Sequence, residues 1–215
     1  MNKKIIISIA ILTFISLAIF VSATYEIVIP KGWNIIYGLT IFPDENLNDV
    51  FGNGKIEAVY AYIPSINDYA QVYPNPELDK LREMDDDELL NTAFWVYAES
   101  GFDWDLQDFK TNNGYLSFDE RQLYSGWNFV GITEDMYTNE DELLSFTWNQ
   151  IKGTCDIEKV YFYASQENPP LWAPVEFDMP LDDDFVGLGM IVKVKNNCKL
   201  KLISEDTEEP PLVPN

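Results

Sequence analysis

Gly32-Trp33-Asn34-Ile35-Ile36 returns 94 positions later as Gly126-Trp127-Asn128-Phe129-Val130. Two more pairs follow in the same order. Ile56-Glu57-Ala58-Val59-Tyr60-Ala61-Tyr62 returns as Ile157-Glu158-Lys159-Val160-Tyr161-Phe162-Tyr163 at a shift of 101, and Asp85-Asp86-Asp87 returns as Asp182-Asp183-Asp184 at a shift of 97. Constant order with a small drift in spacing marks a duplication with changes in loop length. Two aromatic-rich copies read as two small domains rather than as turns of a solenoid. The expected organisation is module 1 over residues 24–120 and module 2 over residues 121–204, followed by an acidic, proline-rich tail over 205–215.

Within each copy the pattern is mostly strand, so the expected fold class is mainly β, a β-rich α+β arrangement of two tandem homologous domains. Tyr25 to Ile29 alternates and stops at Pro30, and Trp33 to Leu39 is a second apolar run. The Ile-Glu-x-Val-Tyr-x-Tyr segments are apolar on both faces, as central strands are. Short helices are expected over Asp44–Phe51 and Asn139–Phe146, where apolar residues fall on one face. Each module is expected to close on a hairpin. A three-residue loop of Lys195 to Asn197 pairs Val194 with Cys198 and keeps four lysines outside, and Glu99-Ser100-Gly101 is the matching loop in module 1. In that register Phe94, Val96, Ala98, Phe102, Trp104 and Leu106 point inward, while Trp95, Tyr97, Asp103 and Asp105 point outward. Cys198 then occupies the place of Phe102.

The chain opens on an export signal. Lys3-Lys4 precedes an aliphatic run from Ile5 to Val21, and Val21-Ser22-Ala23 is a signal-peptidase site, so residues 1–23 are expected to be removed; a retained N-terminal membrane anchor is the alternative. Cleavage takes the net charge from −22 to −24, because it removes Lys3 and Lys4 and no acid. A balance so acidic excludes nucleic acid and anionic membrane surfaces as partners, since both repel it. The absence of histidine excludes Ser-His-Asp and Cys-His catalysis and His-ligated zinc. In an exported chain Cys155 and Cys198 are most simply one disulfide.

These landmarks resemble the tandem Gly-Trp-Asn modules of exported prokaryotic surface proteins, including archaeal cell-envelope and S-layer-associated ones. The closings, Ala93-Phe94-Trp95-Val96-Tyr97 and Gly189-Met190-Ile191-Val192-Lys193, stand where such modules carry Gly-Tyr-Trp-Ile. The resemblance covers nearly all of the chain after residue 23. It implies a surface-exposed, β-rich, non-catalytic module and brings no catalytic residues with it.

Trp33 and Trp127, at strand starts behind glycine, are expected as core anchors. The acidic triplets Asp85, Asp86, Asp87 and Asp182, Asp183, Asp184 are the candidate calcium ligands, because a hard cation needs clustered carboxylates; solvated or helix-capping runs are the plain alternative. A calcium loop aligned on Gly114 fails, because it puts Phe109 where an oxygen ligand is needed, and a turn at Asn113-Gly114 fits better. The most distinctive surface is the outward set Trp95, Tyr97, Asp103 and Asp105. Its counterpart in module 2 is Ile191, Lys193, Lys199 and Lys201, so an aromatic, acidic face has a basic complement. The two faces can meet within one chain or between chains. The resulting expectation is a secreted or surface-displayed, non-catalytic protein with a structural or adhesive role, whose partner is a protein, a cell-envelope component or a second copy. The alternatives are a carbohydrate-binding module stacking sugar on Trp95 and Tyr97, and a hydrolase using paired carboxylates. No cofactor other than calcium is expected.

Overall fold

The Gly-Trp-Asn motif builds a corner. In the computed structural model, which describes residues 26–37, 54–105, 118–136 and 145–203, Gly32 and Gly126 have φ of +105° and +103°. Side chains rarely adopt that backbone conformation, so glycine is required there. The asparagine two residues on is buried and satisfies the carbonyls that the corner turns inward. Asn34 Nδ2 donates to the carbonyls of Pro30 and Gly32 at 3.0 and 2.9 Å. Asn128 Nδ2 donates to those of Tyr124 and Gly126 at 2.8 and 3.2 Å, while its Oδ1 accepts from the Tyr124 amide at 2.8 Å.

Each corner bends a long antiparallel ribbon. In module 1, β2 (Gly32–Ile36) pairs with β5 (Phe94–Ala98), and beyond the corner β1 (Glu26–Ile29) pairs with β6 (Phe102–Asp105). In module 2, β8 (Gly126–Gly131) pairs with β11 (Gly189–Val194), and β7 (Gln122–Leu123) pairs with β12 (Cys198–Lys199). This corrects the expected closing registers. Glu99-Ser100-Gly101 and Lys195-Asn196-Asn197 carry the chain around a corner instead of reversing it, so Cys198 faces Leu123 rather than Val194. Alternation survives the correction: Phe94, Val96, Ala98 and Phe102 are buried.

The remaining strands complete two sheets of the same order. Sheet 1 runs β2-β5-β3-β4, with β3 at Ile56–Ile63 and β4 at Asp68–Tyr73. Sheet 2 runs β8-β11-β9-β10, with β9 at Ile157–Ala164 and β10 at Leu171–Pro174. The Ile-Glu-x-Val-Tyr-x-Tyr strands β3 and β9 are interior, as their two apolar faces require. The chain is therefore mainly β, with two four-stranded antiparallel sheets, as expected. One face of each sheet holds its module's own core: Ile36, Val59, Ala61, Phe94 and Val96 in module 1, and Val130, Val160, Met190 and Val192 in module 2.

Capping boxes start two of the described short helices. Asp85 precedes α2 (Asp86–Asn91), which follows α1 (Leu78–Leu81); its carboxylate accepts from the Glu88 amide at 2.7 Å, and the Glu88 carboxylate accepts from the Asp85 amide at 3.1 Å. Thr147 and Gln150 do the same for α3 (Trp148–Ile151). The leader, the expected helix Asp44–Phe51, most of Asn139–Phe146, the Asn113-Gly114 turn and the tail lie outside the described residues. Cys155 and Cys198 form a disulfide under the module 2 core, both buried. Cys198 sits opposite Leu123 as Phe102 sits opposite Ile29, so the bridge stands where module 1 packs a ring. Among the described residues no helix is long and apolar enough to cross a membrane. The disulfide is compatible with a non-reducing, extracellular environment.

Candidate functional site

The second face of each sheet also carries large apolar residues, and those of the two sheets pack on each other. Strand alternation decides which residues take part. Since Asn34 and Ile36 point into the module 1 core, Trp33, Ile35 and Tyr37 must point the other way. Ile35, Tyr37, Tyr62, Ala93 and Phe129 are buried in this junction, with Trp95, Trp127, Tyr163 and Ile191 packed against them. Burying each large side chain contributes about 1.5–3 kcal/mol.

The junction has an approximate two-fold arrangement. The residue pairs Ile36↔Leu188 and Thr92↔Val130 bridge the two modules. By strand register Ile36 corresponds to Val130 and Thr92 to Leu188, so each bridge is the other with the modules exchanged. Backbone hydrogen bonds cross beside them, Tyr37 N to Gly187 O at 2.8 Å and Ala93 N to Phe129 O at 3.1 Å. Close approach requires glycine in module 2. A Cβ on Gly131 would lie 1.8 Å from the Tyr37 ring, and one on Gly189 would lie 2.3 Å from both Ala93 Cβ and Ile35 Cγ2.

Polar ties reinforce the junction. Arg121 is fully buried, donates to Gly131 O and to Thr133 Oγ1 (2.7 Å for the latter), and holds its guanidinium 5.4 Å from the centre of the Tyr37 ring. Tyr124 Oη donates to the other carboxylate oxygen of Asp85 at 3.4 Å, linking the α2 cap to module 2. Glu88 is buried beside this contact. Desolvation pushes its carboxyl above the usual range, helped by the Asp85 charge and opposed by hydrogen bonds from the Asp85 amide and Ser65.

Beside the buried part of the junction, an aromatic cleft opens. It has a volume of about 380 Å³ and is lined by Trp33, Tyr60, Tyr69 and Trp95 of module 1 and Tyr163 of module 2. Its walls meet at steep angles: Trp33 and Trp95 at 82°, Trp95 and Tyr163 at 75°, Trp33 and Tyr60 at 53°, with ring centres 4.9 to 6.1 Å apart. Trp33 and Tyr69 are 40% and 41% exposed. Trp33 is therefore no core anchor, a correction that follows from the inward position of Asn34. Trp127 is likewise half-buried on the junction face, over Tyr161. The polar residues next to the cleft are engaged. Asp68 accepts from the Tyr69 amide and pairs with Lys80 at 2.8 Å, and Gln71 Nε2 donates to Tyr73 O. The Lys80 hydrogen bond holds the Asp68 carboxyl below the usual range.

The other sequence-derived candidates separate. Trp95 packs on Tyr163, Trp172 and Phe129, and Tyr97 stands edge-on to Trp33 at 5.1 Å. Asp103 is exposed on β6, beyond the corner and away from the cleft lining; the Asp105 side chain lies outside the described residues. Lys193 pairs with Glu158 at 2.7 Å and sits 6.0 Å from the Trp127 ring centre. Lys199 and Lys201 are exposed near the module 2 disulfide. The apolar parts of the two faces thus meet within the chain, while among the described side chains Lys193 pairs with Glu158 and not with Asp103. Asp85 is a helix cap, and Asp182 starts the 3-10 turn Asp183–Phe185. The side chains of Asp86, Asp87 and Asp183 lie outside the described residues, and Asp184 is exposed. Among the described residues no three Cys, Asp or Glu side chains converge.

Sequence reasoning passed over Tyr60, Tyr69, Tyr163, Trp172 and Arg121. Tyr60 and Tyr163 were visible as the second apolar face of the repeated strands, a face that had to be covered by something. Comparison with protein-family models, with curated proteins and with solved structures gives no match.

Proposed function

We propose that this chain is an exported, non-catalytic binding protein of the cell surface, whose two modules are fused face to face to hold an aromatic cleft rigid at their junction. The observation that carries this reading is the cleft itself. Five aromatic side chains, from all four strands of sheet 1 and one strand of sheet 2, stay accessible beside the buried part of the same faces. A concave, mostly apolar site between two packed units is where proteins place ligands. The Lys3-Lys4 and Ile5–Val21 leader, the disulfide and the likeness to Gly-Trp-Asn surface modules support an exported location. The partner in this reading is a protein or a cell-envelope component. Binding of the purified mature chain to isolated cell envelopes tests it, with Trp33→Leu and Tyr69→Ala as comparisons. Saturable binding that both variants weaken at least fivefold is expected. Equal binding by all three proteins would contradict the role given to the cleft.

A further inference from the structure

The duplication supplies an internal comparison for what the cleft holds. Trp33 corresponds to Trp127, Tyr60 to Tyr161, Trp95 to Ile191 and Tyr97 to Lys193. In module 2 the Lys193 ammonium lies over the Trp127 indole and is held there by Glu158. An intramolecular cation therefore rests on the face whose counterpart in module 1 is Trp33. In module 1 the corresponding lysine is replaced by Tyr97 and the isoleucine by Trp95, so that half gains two rings and loses its own cation.

From this we infer that the cleft binds an organic ammonium ion supplied from outside the chain, either a free quaternary ammonium compound or a lysine side chain presented by a partner. The inference rests on the binding role proposed above and names its ligand class. Three features favour a cation. Aromatic faces carry negative charge density, and here they turn through 53° to 82° from ring to ring, so that they form an open, angled cleft instead of one coplanar platform. All five described lining side chains are uncharged, and the Lys80 ammonium beside Tyr69 is held by Asp68 and the Tyr69 carbonyl. The net charge of −22 raises the local concentration of cations and repels anions. A sugar is less well served. It would need flat stacking faces flanked by free carboxylates or amides, whereas Asp103 lies beyond the corner and Asp68 and Gln71 already have partners. A volume of about 380 Å³ accommodates an ammonium head together with its substituent.

The test is calorimetric titration of the full mature chain with four probes: choline, its uncharged carbon isostere 3,3-dimethylbutan-1-ol, N-acetyl-lysine methylamide and cellohexaose. Choline or the lysine derivative should bind saturably, at least fivefold tighter than the isostere, with an affinity that falls as salt is raised. Whichever of the two binds tighter identifies the source. Trp33→Leu and Tyr69→Ala should each weaken binding at least fivefold, while Trp127→Leu should leave it within twofold. Equal binding of choline and the isostere would overturn the inference by showing a merely apolar site. Binding of cellohexaose alone would also overturn it while leaving the cleft as a binding site. Silence with all four probes, together with unaltered envelope binding by the variants, would remove the cleft as well.

Discussion

The two halves of the junction follow the same strand order and differ in a specific way. Both present a tryptophan behind a glycine corner and, two strands away, a tyrosine on an interior strand, Tyr60 on β3 and Tyr161 on β9. Module 1 adds Trp95 and Tyr97, keeping rings open to solvent. Module 2 carries Ile191 and Lys193, with Lys193 drawn down onto Trp127 by Glu158. Module 2 also supplies the small residues, Gly131 and Gly189, against Tyr37 and Ala93. After a duplication only one copy of a surface has to keep its exposed features, while the other can become the fitted seat. On the binding role proposed above, module 2 serves mainly as the wall and clamp for the site on module 1.

That contrast can be broken at its supports. The largest effect belongs to the disulfide, which exists only in module 2 at the place where module 1 packs Phe102. Replacing both Cys155 and Cys198 by Ser reopens a loop of 43 residues and should lower unfolding stability by about 4 kcal/mol in the chain-entropy model. Urea unfolding checks the size, and hydrogen exchange checks that protection falls first in module 2. Next comes Arg121→Ala, which leaves Gly131 O and Thr133 Oγ1 without their buried donor and strips Tyr37 of its guanidinium. A loss of about 3 kcal/mol is expected in the same urea experiment. Gly131→Ala drives a methyl group into the Tyr37 ring and should cost about 1–3 kcal/mol by overpacking. Double substitution with Tyr37→Ala should recover part of that loss, a coupling that a purely local backbone effect would not show.

The smallest of these effects is a pH dependence. Burial raises the Glu88 carboxyl in the folded state, so the native chain holds that proton to higher pH than the unfolded chain does. The Glu88 contribution to stability is therefore full below the ordinary glutamate range and is lost as pH rises through the raised value. Glu88→Gln should flatten this part of the stability curve, measured as the urea midpoint across the mildly acidic range. The Thr147–Gln150 box of module 2 has no carboxylate, so Gln150→Glu provides the converse comparison.

Much of the architecture was legible in residues 32–36 and 126–130, because a left-handed glycine and a buried asparagine leave a fixed signature. The interior position of β3 and β9 could likewise be read from their two apolar faces. The corner was misread as a hairpin because both keep the same in-and-out alternation. Alternation sets which way a side chain points and carries nothing about which strand lies alongside. β10 was missed for a different reason. Leu171-Trp172-Ala173-Pro174 follows Pro169 and Pro170 and reads as a loop, yet proline is tolerated on an edge strand, which is where β10 lies. Trp33 was assigned to the core because it stands at a strand start behind glycine, when the neighbouring Asn34 was the residue that faced inward. The cleft was not legible because Tyr163 reaches it from a module 94 residues away from Tyr69, through a packing that no local pattern encodes.

On the binding role proposed above, the two halves of the junction differ in what they can receive, and the tryptophan indole N–H resonances read this directly. The six indole signals, assigned by single Trp→Phe variants, would be followed by two-dimensional NMR while tetramethylammonium is added to the mature chain. The account predicts saturable shifts at Trp33 and Trp95, with Trp127 and the buried Trp148 unmoved. Equal shifts at Trp33 and Trp127, or no saturable shift at Trp33 and Trp95, would contradict it.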